Sequence, residues 1–183
     1  MDRPATEPIL EVRLAGQVGR AWGLLGVLVL LGQAIYRLGA LALAALRSPL
    51  GPWQWAVLAA WTAAMVYGEG VRGFQRGFSP RVVARAWYLA RHPHPVHVPL
   101  APLYAMGLVH ATRKRLVTSW ALTTTMIGLV ILMRFVSQPL RGIIDAGVVA
   151  GLIWGAVAIL VFALRGALGR PPGVALDLPS ARA

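Results

Sequence analysis

The sequence predicts an all-α integral membrane protein with four transmembrane helices and a basic amphipathic or re-entrant segment between the second and third. Three observations predict it. Hydrophobic residues make up 57% of the 183 positions and charged residues only 13%, against about a quarter charged in a soluble domain. The apolar residues gather in runs near the ~20 needed to cross a hydrocarbon core. The basic residues behind the formal net charge of +12 are dense in every second connection, the bias that orients membrane proteins.

Residues 1–20 read as an N-terminal cytoplasmic segment, because Asp2, Glu7 and Glu11 interrupt the apolar residues there. The first span covers 21–46 and carries Gln33 and Arg37. Ser48-Pro49-Leu50-Gly51-Pro52 breaks it, since two prolines and a glycine do not continue a helix. The second span, 53–68, opens with Trp53 and Trp55, aromatics suited to an interface. Residues 69–115 form the basic segment. Within it Ser79-Pro80 has the form of a helix start, and "RVVARAWYLAR" reads as a helix lying on the membrane surface. "HPHPVHVP" cannot be regular helix. The apolar stretch within 96–112 is short for a span, so it re-enters, spans or lies on the membrane, and the sequence leaves these open. A third span runs over 116–136, Ser137-Gln138-Pro139 turns the chain, and a fourth span covers 143–164. The tail, 165–183, contains Pro171-Pro172-Gly173 and is predicted to be disordered.

Counting Arg and Lys by connection gives 3, 1, 8, 2 and 3. That alternation predicts cytoplasmic termini and a cytoplasmic middle segment. It also makes anionic lipid, rather than nucleic acid, the expected partner of the basic residues. Arg81, Arg85, Arg91, Arg113, Lys114 and Arg115 are the candidate headgroup contacts.

The chemistry-bearing motifs are few. Gly68-Glu69-Gly70-Val71-Arg72-Gly73 spells G-x-G-x-x-G, but no strand precedes it and no acid follows until Asp145. A dinucleotide site needs both, so the match is accidental. Glu69 and Arg72, three residues apart, are predicted to pair on a helix face. His92, His94, His97 and His110 offer imidazoles, but three of them alternate with prolines in a hydrated stretch, and no metal site or cofactor is predicted. With no cysteine in the chain, disulfides and thiolate metal sites are excluded. In the third span Ser119, Thr123, Thr124 and Thr125 are expected to bond back to the previous turn. Gly147, Gly151 and Gly155 form a glycine-zipper face for close helix packing, with another span or a second copy. Arg37 lies inside a span and calls for an acid. Asp145 is the acid nearest in depth, with Arg134 and Arg141 competing for it.

"EGVRGFQRGFSPRVVARA", "MGLVHATRKRLVTSW" and "QPLRGIIDAGVVAG" resemble a family of small multi-pass bacterial inner-membrane proteins without an assigned activity. The sequence departs from that pattern at Leu140, where the pattern carries tryptophan. The resemblance implies residence in a bacterial cytoplasmic membrane and carries over no catalytic or binding residue. The expected function is a non-enzymatic membrane component contacting anionic lipid and a membrane-protein partner or a second copy. The alternative is a small transporter or membrane enzyme using Glu69 or Asp145.

Overall fold

The computed structural model describes residues 7–178, and every regular element among them is helical. Residues 1–6 and 179–183, the ends of the predicted N-terminal segment and tail, lie outside the described residues. Helix α1 spans Glu7–Leu46. Its 40 residues extend ~60 Å at the α-helical rise, about twice the hydrocarbon thickness of a bilayer. The N-terminal segment assigned to residues 1–20 is thus helical from Glu7 and continuous with the first span, Glu7 and Glu11 occupying the first turns of one long helix. The missed signal is a ladder of glycines, Gly16, Gly19, Gly23 and Gly26, spaced to share one face. A Cβ on Gly16 or Gly26 would overlap Ala90 O or the Pro102 ring, and one on Gly23 would lie 3.2 Å from Ala101 O.

Helix α2, Pro52–Met65, starts with proline in its first turn, and the Gln54 side chain accepts a hydrogen bond from Gly51 N at 2.7 Å. At Val66 the ladder widens to i→i+5 bonding, and Val66–Phe78 is π-helical. This stretch contains Gly68, Gly70, Gly73 and Gly77, whose missing side chains ease a geometry seldom sustained beyond one turn. Helix α3, Ser79–Arg91, continues from it without a break. After the His/Pro turn come the short helix α4, Ala101–Met106, and Gly107 in the left-handed conformation (φ 76°). Helix α5 covers Arg113–Leu132, with the Thr112 side chain accepting from Arg115 N at 3.4 Å. Helix α6 covers Leu140–Ala167.

Three helices are long and apolar enough to cross a membrane: Val12–Leu46, Arg113–Phe135 and Leu140–Ala167. Helices α1 and α6 pack antiparallel, with Ala45 against Gly142 at one end and Val27 beside Ile159 in the central cluster. The run from α2 through α3 lies parallel to α6, Trp61 meeting Gly147, Phe74 meeting Gly155 and Trp87 meeting Gly166. Thirteen residues (61 to 74) thus pass eight of α6 (147 to 155), so the π-segment covers less length per residue than the α-helix beside it.

Gly147, Gly151 and Gly155 are all buried in this interface. A Cβ on Gly155 would fall 2.5 Å from Phe74 Cγ, and on Gly70 3.0 Å from Trp154 Cγ, so each helix seats an aromatic ring over the other's glycine. Trp61 Nε1 donates to Ile144 O at 3.1 Å and Trp154 Nε1 to Gln75 Oε1 at 2.8 Å.

Helix α3 does not rest on a surface with one face free. It is enclosed by α1, α4 and α6, and Val82, Val83, Ala86 and Leu89 are nearly inaccessible. Helix α5 stands apart. Trp120 Nε1 donates to Leu108 O at 3.2 Å near its start, and from Ala121 to Leu132 it has no buried residue. As anticipated for hydroxyls in a span, Thr123 Oγ1 donates back to Ser119 O at 2.9 Å.

Candidate functional site

The polar residues singled out by the sequence fall in three places, which the fold does not bring together. The first is Asp145 at the start of α6. Arg141 Nε lies 3.7 Å from Asp145 Oδ2, without a hydrogen bond at either atom. The expected partners, Arg37 and Arg134, are exposed and form no ion pair among the described residues. The physical reason is local: one helical turn puts Arg141 within reach before any neighbouring helix competes.

The second is Glu69, in the first turn of the π-segment. The predicted Glu69–Arg72 pair does not form: Arg72 is exposed, and the Glu69 carboxylate faces α6. Its Oε2 lies 3.3 Å from the place a Cβ on Gly151 would take. Glu69 has no counter-charge among the described ion pairs. The glycine face therefore serves two purposes: it admits Phe74 and leaves room for a carboxylate.

The third was not anticipated, and it is the most densely bonded side-chain site among the described residues. Arg85, 2% exposed, projects from α3 into the layer formed by α4 and the chain that follows it. Its Nε donates to Tyr104 O at 2.6 Å, Nη1 to Leu176 O at 2.7 Å, and Nη2 to Val109 O and His110 O, both at 3.0 Å. The guanidinium also lies over the Tyr104 ring, 4.4 Å from its centroid, a favourable cation–π placement. Arg85 is therefore removed from the set of headgroup residues, because buried carbonyls use its donors. Arg91, Arg113 and Lys114 are exposed, while Arg81 and Arg115 are half-buried.

This arrangement also corrects the disordered tail. Leu178 packs on Leu89, Ala101 and Tyr104, and Thr112 N donates to Asp177 O at 2.8 Å. The tail is a strap across the platform built by α3 and α4. His110 (φ 48°) and Asp177 (φ 49°) are the non-glycine residues with left-handed backbone among the described residues, and both touch this node. Such strain persists only where the surroundings over-determine it, and it concentrates at functional sites.

Imidazoles and phenols line one side. The His97 ring lies 4.8 Å from His94, 4.4 Å from His110 and 5.2 Å from Tyr104 between centroids. Burial lowers the His97 pKa, and the charges of His110, His94 and Arg85 lower it further. Burial raises the Tyr104 phenol, Arg85 opposing and Tyr88 adding to the effect. Burial likewise lowers Arg85, Tyr104 opposing, Arg115 adding and Asp177 opposing, although a guanidinium stays charged throughout. No group of three His, Cys, Asp or Glu among the described residues has metal-binding geometry.

No protein-family model, curated protein or solved structure matches the chain.

Proposed function

We propose that the chain is a four-span membrane component whose basic platform lies at the cytoplasmic face and contacts anionic lipid, with no chemistry of its own. The observation that carries the reading is the division of the basic residues. One guanidinium is spent inside the platform, while Arg113 and Lys114 stay exposed in the first turn of an apolar helix and Arg91 stays exposed at the end of α3. A membrane-embedded α5 sets those charges at headgroup depth, where each is worth roughly 1 kcal/mol toward an anionic surface. Purified wild-type protein should co-purify with phosphatidylglycerol in preference to phosphatidylcholine. Neutralising Arg91, Arg113 and Lys114 together should abolish the preference; equal recovery of both lipids by wild type would sink the reading.

The four-span topology takes the second span as α2 with the π-segment. Its support is the parallel run of that stretch beside α6 and the charge alternation along the chain. Cysteines at Ser48 and Gln138 should react with an impermeant reagent from outside, and one at Val96 should not. Ser79 makes a poor probe because it is wholly buried. External labelling at Val96 would reverse the orientation.

A second reading is favoured by Glu69 alone. A carboxylate without a counter-charge, in a π-helical stretch at the level of mid-α6, fits a proton- or cation-handling group. Glu69→Gln should leave thermal stability within ~0.5 kcal/mol, the usual range for a change that removes no contact. It should abolish proton uptake by vesicles containing the protein; uptake equal to wild type would remove this reading.

A further inference from the structure

We propose that Arg81, Arg85 and Arg115 form an anion pocket for a phosphate monoester, and that Asp177 of the tail occupies it as an exchangeable internal stand-in. The inference rests on the reading of the platform as an anionic-lipid contact and gives that contact a specific site.

Charge comes first. Three guanidiniums lie near the docked tail, and Arg81 pairs with its carboxylate. Arg81 Nε lies 3.9 Å from Asp177 Oδ2. Arg115 folds over Gly107, its Nε 3.1 Å from where a Cβ on that glycine would stand. Arg85 donates to the carbonyl of Leu176, the residue before Asp177. Arg85 and Arg115 both feel the charge of Asp177. The other acids of the described helical interfaces lie elsewhere, Glu69 against α6 and Asp145 within it. With Asp177 displaced, the three guanidiniums face a phosphate monoester, close to a dianion at neutral pH, which offsets more of their charge than one carboxylate does.

Exchangeability comes second. The Arg81–Asp177 pair is long, and its side chains are 39% and 34% exposed, so solvent screens it and little holds it closed. Asp177 is also held in a left-handed conformation (φ 49°), which its release would relax.

The donor set comes third. Arg85 stays bonded to the carbonyls of Tyr104, Val109 and His110, and its Nη1, now bonded to Leu176 O, is freed as the tail leaves. Arg81 and Arg115 retain free donors for a ligand. Departure of the tail also frees Thr112 N, now bonded to Asp177 O, at the N-terminus of the 20-residue α5. A backbone N–H there is suited to a phosphate oxygen. The chemistry is the same for the headgroup of phosphatidic acid and for free phosphate.

The test uses the full chain in phosphatidylcholine nanodiscs, with phosphatidic acid added as a small fraction or inorganic phosphate added to the solution. Native mass spectrometry reads the bound lipid; thermal shift reads phosphate. Asp177→Asn should raise the affinity for phosphatidic acid about fivefold, the equivalent of removing one competing surface charge. Arg81→Gln with Arg115→Gln should reduce it to the level of phosphatidylcholine. In wild type, phosphatidic acid should accelerate limited proteolysis after Arg170 as the tail leaves, a readout that needs no variant. A gain with lipid only assigns a headgroup site, and a gain with inorganic phosphate as well assigns a soluble-anion site; either supports the pocket. Unchanged affinity in Asp177→Asn, with helicity and elution volume retained and proteolysis after Arg170 unaltered by either probe, would overturn it. The two proposals separate cleanly. Wild-type preference for phosphatidylglycerol with no response to Asp177→Asn keeps the general lipid contact and removes the pocket. A response to Asp177→Asn without that preference does the reverse.

Discussion

Replacing Arg85 with methionine should destabilise the platform by about 1.5–3 kcal/mol, the range for hydrogen bonds to a charged group. The side chain keeps much of its apolar length, so the loss is in hydrogen bonding. The carbonyls of Val109, His110 and Leu176 lose the Arg85 donor, while Tyr104 O keeps Gly107 N at 3.0 Å. Arg85→Lys should recover less than half of the loss, because one ammonium cannot imitate a planar fork serving four acceptors. The strap gives a direct readout. Limited proteolysis after Arg170 should accelerate sharply in Arg85→Met, while the α1–α6 pair, whose central cluster includes Val27 and Ile159, should keep its helical signal. Denaturant unfolding within ~0.5 kcal/mol of wild type would mean that the node is not structural.

Substitution along the glycine face of α6 should be graded by position. At Gly155 an added Cβ meets the rigid Phe74 ring at 2.5 Å, and at Gly147 it meets Trp61 Cδ1 at 2.5 Å. At Gly151 the neighbours are Glu69 Cβ and Oε2 at 3.3 Å, part of a side chain that can move. Gly155→Leu should cost about 1–3 kcal/mol as an overpacked interface does. Gly155→Ala should cost measurably more than Gly151→Ala. Thermal unfolding in detergent orders the three variants. Equal midpoints for Gly151→Ala and Gly155→Ala would show that the helices separate easily and that the rings do not fix their spacing.

Helices and the close-packing face were legible because each rests on a periodic, local signal. The apolar runs and the spacing of Gly147, Gly151 and Gly155 are of that kind. The same spacing at Gly16, Gly19, Gly23 and Gly26 is equally readable, but Glu7 and Glu11 upstream set Gly16 and Gly19 apart in an N-terminal cytoplasmic segment. Arg85 was not legible. Arg81, Arg85 and Arg91 share one short helix, and nothing local says which is buried. The answer depends on carbonyls arriving from α4, from the chain after it and from a tail more than 90 residues away. Asp145 failed in the opposite direction: a long-range partner was sought in Arg37 when a residue one turn away sufficed. The tail has no period to read, since three residues, Leu176 to Leu178, do the docking.

Helix α5 has a different kind of consequence. Its first turns are tied to the platform, and the rest touches almost nothing else among the described residues. A helix with no neighbours has no shape to match. Its residues answer to a single requirement, that they be apolar over the right length, and many sequences meet it. In α6, by contrast, one methyl group in the wrong place meets an aromatic ring. Two helices of similar composition thus carry very different amounts of structural information, and α5 is where this sequence is freest to drift.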